Sequence, residues 1–144
     1  METARELGAE VRDPGRQSLA EIGAELGPFE RILITAPPPL IPASFDAAAY
    51  GGVIAFVGIG WEGAQHIGFD ANAFHFRKLQ LRASFASPAL FLPEALRLLE
   101  RGVVPAELII SHVLPLSRIA EALQMARERR PEVKKVVIVP DGRL

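Results

Sequence analysis

Two short apolar runs rich in β-branched residues, "RILIT" at 31–35 and "VIAFV" at 53–57, constrain the fold of this chain more than anything else in it. Neither alternates polar with apolar residues, as a strand wet on one face would. The pattern is that of strands covered on both faces. The residues between them suffice for one turn and one short helix, and strand, helix, strand at this spacing implies a parallel crossover. "LQLRASF" at 79–85 reads as a third strand and "KKVVIVP" as the last. Strands alternating with helical segments predict an α/β fold with a mostly parallel sheet and flanking helices.

Local signals set the expected boundaries. Residues 2–7 read as the tail of a helix stopped by Gly8, and "AEVRD" as a short strand leading to a turn at Pro14-Gly15. Ser18 and Glu21 form a capping-box pattern before Leu19, Ile22 and Leu26 on one helical face, with Gly27 as the stop. Pro37, Pro38 and Pro39 lack N–H donors, so no helix or interior strand continues through them. Ser44 is expected to cap a short alanine-rich helix ending near Tyr50, with Gly51 and Gly52 as its left-handed stop. Residues 60–79 read as a looser segment carrying Phe69, Phe74 and Phe76. Ser87 and Pro88 open a helix with Pro93 in its first turn, "ELIISHVLPL" reads as extended, and "SRIAEALQMARERR" as a helix buried through Ile119, Leu123 and Ala126.

Composition excludes several functions. With 144 residues and a net charge of -1, the chain offers no field for nucleic acid or an anionic membrane. It has no cysteine, hence no disulfide, thiol nucleophile or thiolate metal site. His66, His75 and His112 form no pair at helical ligand spacing, so no metal site is expected. No apolar stretch reaches the ~18 residues of a membrane span, and the charged start "METARELGAE" is unlike a secretory signal. The default address is the cytoplasm.

Ligands of parallel α/β sheets sit beyond the carboxyl ends of the strands, which directs attention to Thr35-Ala36-Pro37, Gly58-Ile59-Gly60 and Ala83-Ser84-Phe85. A phosphate cradle needs a glycine-rich turn that feeds a helix N-terminus. "WEGAQHIGFD" after Gly60 has neither helical periodicity nor G-x-G-x-x-G, so the glycines read as the end of a strand or as close backbone approach to a flat ring. Ser111-His112 lacks a nucleophile elbow and an orienting acid. Arg77, Lys78 and Arg82 read as a solvated strand edge. Trp61 and the phenylalanines read as core or as a subunit contact.

From "ARELGAE" to "KKVVIV" the order of segments resembles the C-terminal half of the medium-chain dehydrogenase/reductase family, the zinc-type alcohol dehydrogenase-like enzymes. The matching pieces are "ARELGAEVRDP", "GGVIAFVGI", "FHFRKLQLRASFASP" with "EALRLLERGVV", and "LIISHVLPLSRIAEALQMA" leading into "KKVVIV". The resemblance implies a single domain, a partial Rossmann-like dinucleotide-binding region over about 1–110 followed by a returning segment over about 111–144. It implies that Thr35, Ala36, Gly58, Ile59, Ser84 and Phe85 line the nicotinamide half of an NAD or NADP site, and that Lys135 approaches the pyrophosphate as a point charge. The family's G-x-G-x-x-G, its zinc ligands and its proton relay would lie before Met1. No catalytic residue is therefore assigned, zinc is not expected here, and the isolated chain is expected to be inactive. The strands that would separate "AEVRD" from "RILIT" are also absent. Either "AEVRD" pairs elsewhere or the open edge of "RILIT" recruits another chain, which makes a homo-oligomer the expected partnership and a noncatalytic association module, working through that edge or the Phe-rich segment, the alternative function.

Overall fold

The computed structural model describes residues 2–85, 87–128 and 130–142. Its elements run α1 (Glu2–Glu6), α2 (Leu19–Leu26), β1 (Phe29–Ile34), α3 (Ile41–Ala47), β2 (Ala48–Phe56), α4 (Ala71–Phe76) and β3 (Gln80–Ala83). They continue with α5 (Pro88–Glu100), α6 (Ala106–Ile109), β4 (His112–Pro115), α7 (Ile119–Glu128) and β5 (Val136–Val139). The chain divides into two units, residues 10–86 and residues 1–9 with 87–144. The first holds a sheet of order β1-β2-β3, the second a β4-β5 pair, and every ladder is parallel. The α/β class with parallel sheets and flanking helices is thus what the alternation of segments predicts.

In the unit over 10–86 the core forms where the sheet meets α3. Ile34, Ile41, Phe45, Ala48, Ile54 and Leu79 are buried together, and Ile54, on the central strand, is fully enclosed. Helix α2 begins at a complete capping box, Ser18 accepting from Glu21 N–H and the Glu21 carboxylate accepting from Ser18 N–H. It lies on α3 at Gly23, where an added Cβ would come within 2.8 Å of Ala47 Cα. Arg12 draws Glu10 and Glu25 together, fastening the loop before α2 to its last turn.

Several expectations are corrected. "AEVRD" is not a strand; residues 9–13 lie outside any ladder, because no strand is beside them to take their backbone bonds. "RILIT" is not covered on both faces: Leu33 is 64% exposed and only Ile34 is buried, since helices cover one side of this edge strand. Ser44 is not a cap. It lies inside α3, buried, donating to the Ile41 carbonyl at 2.7 Å, because the helix starts directly after a single 3-10 turn at Pro38–Leu40. Residues 48–50 already belong to β2, and Gly51 (φ 72°) marks a bulge there, where the register jumps from Phe29↔Ala48 to Arg31↔Val53.

Helix α4 arises within the segment read as loose, nucleated by Asp70, whose carboxylate accepts from Asn72 and Ala73 N–H. Arg77 is not a solvated edge residue. Half-buried at the end of α4, it donates to the carbonyls of Phe45 and Ala48 and so ties the C-terminus of α3 to the start of β2.

In the other unit, α5 begins at Pro88, so Pro93 lies inside the helix and costs it one backbone bond. Residues 106–109 form the short helix α6 within the stretch expected to be extended. Helix α7 buries Ala122, whereas Ile119 and Leu123 are 41% and 65% exposed and Ala126 is exposed too. Ala122 is thus the residue of α7 that packs inward, with Met125 half-buried beside it, in the helix that contacts β4 and β5.

Two outcomes test this description. Lys78 adopts φ 51° just after α4, where Lys78 and Leu79 N–H bond back to His75 and Phe74 carbonyls. Lys78→Gly should therefore stabilise the protein by about 1 kcal/mol in urea unfolding, and a loss of stability would contradict the geometry. The Glu21 carboxyl is held below its ordinary 4.5, first by the Ser18 N–H and then by the Ser18 hydroxyl. A folded-state value below the unfolded one gives stability that is complete above about pH 4.5 and lost as pH falls through the lowered value. Thermal melts of Ser18→Ala should show a shallower acid dependence than wild type in that window.

Candidate functional site

The carboxyl ends of β1, β2 and β3 are aligned. Ile34 pairs with Phe56, and Phe56 with Ala83. Each ladder runs one residue further: Val57 N–H donates to the Ile34 carbonyl and Ser84 N–H to the Phe56 carbonyl, both at 3.0 Å. The segments that follow, Thr35-Ala36, Gly58-Ile59 and Ser84-Phe85, therefore leave the sheet at one end, and six of the seven sequence-derived site residues share it. Lys135 belongs to the unit holding β4 and β5, exposed at the entry to β5, with its carbonyl accepting from Ser111 and His112 N–H.

The glycine pattern has a backbone cause. A Cβ at Gly58 would lie 2.0 Å from the Ala36 carbonyl oxygen and 2.8 Å from its carbon, so the exits of β1 and β2 touch main chain to main chain. At Gly60 a Cβ would lie 2.5 Å from the Ala64 carbonyl, inside the turn closed by Ala64 N–H on the Trp61 carbonyl. No helix follows these glycines until Ala71, and the N-terminus of that helix is already filled by the Asp70 carboxylate. A phosphate cradle is not built here.

The shelf so formed is uncharged and carries exposed apolar surface, with Ile59 64% and Phe85 90% exposed and Ala36 half-buried beside Gly58. Thr35 and Ser84 are exposed at its polar positions. The groups whose pKa values shift lie elsewhere, in surface pairs: Glu121 is lowered by hydrogen bonds from Arg118, and Glu25 by Gln17 and then Arg12. The shelf suits a flat, weakly polar ring approached by backbone, and supplies no acid–base group of its own.

The remaining motifs resolve as structure. The Ser111 hydroxyl accepts from Lys134 and Lys135 N–H at 2.9 and 3.2 Å, donates to the Lys135 carbonyl and meets His112 Nδ1 at 2.9 Å. Its lone pairs hold the approach to β5 and are not free for attack. Phe45 packs edge to face with Phe69 and Phe74, which are tilted against each other, all with centroids 5.0–5.3 Å apart around an open cavity of about 170 Å³. Phe76 points outward, 74% exposed. His66 and His75 are exposed, and among the described residues no three histidine or carboxylate side chains gather as a metal site. Sequence reasoning missed the role of Arg77, whose carbonyl partners lie 32 and 29 residues upstream, beyond any local signal.

No family model matches the chain, and no curated protein does. Many solved structures do. A benzyl alcohol dehydrogenase from Acinetobacter calcoaceticus is 25% identical with a TM-score of 0.80, over 96% of this chain and 39% of that one. A short-chain alcohol dehydrogenase from Escherichia coli CFT073, solved with the cofactor NADH, is 21% identical with a TM-score of 0.81, over 94% of this chain and 40% of that one. A 2R,3R-butanediol dehydrogenase from Bacillus subtilis is 19% identical with a TM-score of 0.81, over 97% and 40% respectively. The chain thus spans about 40% of the length of the structures it matches, while nearly all of it is matched. That coverage is consistent with the resemblance read from the sequence, a C-terminal half of the zinc-type alcohol dehydrogenase fold.

The backbone contact at Gly58 makes a sharp prediction. Gly58→Ala should cost about 3 kcal/mol in urea unfolding through overpacking. Gly68→Ala, which meets open space at a φ that any residue adopts, should change stability by no more than about 0.5 kcal/mol. Equal costs would contradict the contact.

Proposed function

We propose that this chain is the nicotinamide-side half of the cofactor domain of a zinc-type, NAD(P)-dependent alcohol dehydrogenase-like oxidoreductase. The observation that carries the reading is the alignment of three parallel strand exits, with Gly58 set against the Ala36 backbone, at the end of the sheet where α/β folds take ligands. Thr35, Ala36, Gly58, Ile59, Ser84 and Phe85 would hold the ring. An uncharged shelf with apolar rims fits a nicotinamide, and the NADH in one structural neighbour favours the same ligand class. When bound, the cofactor would supply hydride transfer between an alcohol and a carbonyl.

The chain's own part is to position and shield the ring. Among the described residues no three histidine or carboxylate side chains gather and the six shelf residues carry no acid–base group, which supports the proposal that the isolated chain is inactive. We treat it as one domain, dinucleotide-binding over about 1–110 with a returning segment over about 111–144. We place it in the cytoplasm; among the described residues no helix is long and apolar enough to cross a membrane.

Trp61, the only tryptophan, follows Gly60 directly after the β2 exit and reports on the shelf. NADH or NADPH should quench its fluorescence saturably. Ile59→Asp, at an exposed position, should weaken that binding roughly tenfold, about 1.4 kcal/mol. No saturable signal with folded protein would overturn the reading, as would alcohol turnover by the purified, metal-supplemented chain for the claim of inactivity. A second reading, a noncatalytic association module, is favoured by the outer edge of β1, which pairs with no strand among the described residues; the Phe-rich segment supports it less, because Phe69 and Phe74 pack with Phe45.

A further inference from the structure

The open cavity of about 170 Å³ between α3 and α4 is lined only by residues within 42–79 and shares none with the shelf. Phe45, Phe69 and Phe74 form its aromatic walls, their rings tilted by 50–89° to one another, so they border a space and do not stack. Phe69 keeps 44% of its surface exposed. Two carboxylates reach the same cavity, Asp46 from α3 and Asp70 from the start of α4. Among the described residues neither belongs to an ion pair. We propose that this cavity is a binding site for a compact organic cation, a trimethylammonium head held by the phenylalanine rings and the Asp46 carboxylate. The proposal rests on the walls of the cavity and is independent of what the shelf binds.

Charge and chemistry select this class of ligand. Arg77 also borders the cavity, but its guanidinium is engaged by the Phe45 and Ala48 carbonyls. Two carboxylates against that one guanidinium leave the lining one negative charge, which a monocation balances. One Asp70 oxygen is already committed to the Asn72 and Ala73 N–H groups, so Asp46 is the freer counter-charge. A neutral apolar occupant would take water from both carboxylates and return no charge. A bare metal ion would find too few oxygens, since phenylalanine rings supply none. A weakly hydrated alkylammonium gains from both kinds of wall, being drawn to ring faces by their quadrupole and to carboxylates by charge. Size agrees as well, because a cavity of about 150 Å³ already admits benzene.

The test is titration of the full chain with choline, followed by amide shifts in ¹H–¹⁵N spectra, beside dimethylbutanol, the neutral carbon isostere of choline. Choline should move the resonances of Asp46, Phe69, Asp70 and Phe74 saturably, leave those of Gly58 and Ser84 in place, and bind roughly tenfold more tightly than the isostere. A trimethyllysine peptide in a parallel titration distinguishes a head carried on a protein from a free one, and saturable binding of either at these residues supports the site. Asp46→Asn and Phe69→Leu alter exposed side chains and should leave the protein folded while weakening the cation by roughly threefold to tenfold each. Asp46→Asn should leave the affinity for the neutral isostere unchanged. No saturable shift from either cation, equal affinity for the isostere, shifts centred on the shelf, or folded variants that bind as wild type does would each overturn the proposal.

Discussion

The main-chain contact between Gly58 and Ala36 is the constraint on which the site depends. Two parallel strands whose ends diverged would leave separate loops at the edge of the sheet. Here the absence of a side chain at Gly58 lets the exits of β1 and β2 close on each other, and the ladder continues one residue past both strand pairs. The result is a continuous floor of backbone, where a ring can lie flat and be held by shape.

Beneath that floor the same economy of side chains recurs. Gly23 allows α2 to rest on Ala47 of α3, and Arg77 satisfies carbonyls at the end of α3 while Gly51 N–H returns a bond to the Arg77 carbonyl. These ties run from α2 through α3 and the bulge in β2 to the entry of β3. They fix the register of the strands from below, so the alignment of their upper ends follows from contacts at the opposite edge. In the other unit the Ser111 hydroxyl plays a comparable part, gathering the backbone of Lys134 and Lys135 at the start of β5.

What could be read from the chain depended on how local its cause is. The parallel strands, the capping box at Ser18 and the helix stops at Gly8 and Gly27 follow from residues within a few positions, and each is seen. The strand exits carrying Thr35, Gly58 and Ser84 were legible for the same reason. Features set by distant partners were not. Whether "AEVRD" forms a strand depends on a neighbour that must come from elsewhere, and the cover over Leu33 on elements that lie on one side only. The start of α3 was misplaced because three prolines look like a break but here lead through one 3-10 turn directly into a helix. The buried face of α7 was misjudged because apolar periodicity favours Ile119 and Leu123, whereas close packing on β4 and β5 selects Ala122.

Joined to the coverage of about 40% of several alcohol dehydrogenases, these features support the proposal of a platform for the nicotinamide half of a dinucleotide. Amide shifts in ¹H–¹⁵N spectra during titration with reduced nicotinamide mononucleotide, which carries that half alone, address this most directly. The account predicts that the resonances of Thr35, Ala36, Gly58, Ile59, Ser84 and Phe85 move together and saturate with one affinity. Shifts confined to other parts of the chain, or none at all from a folded sample, would contradict it.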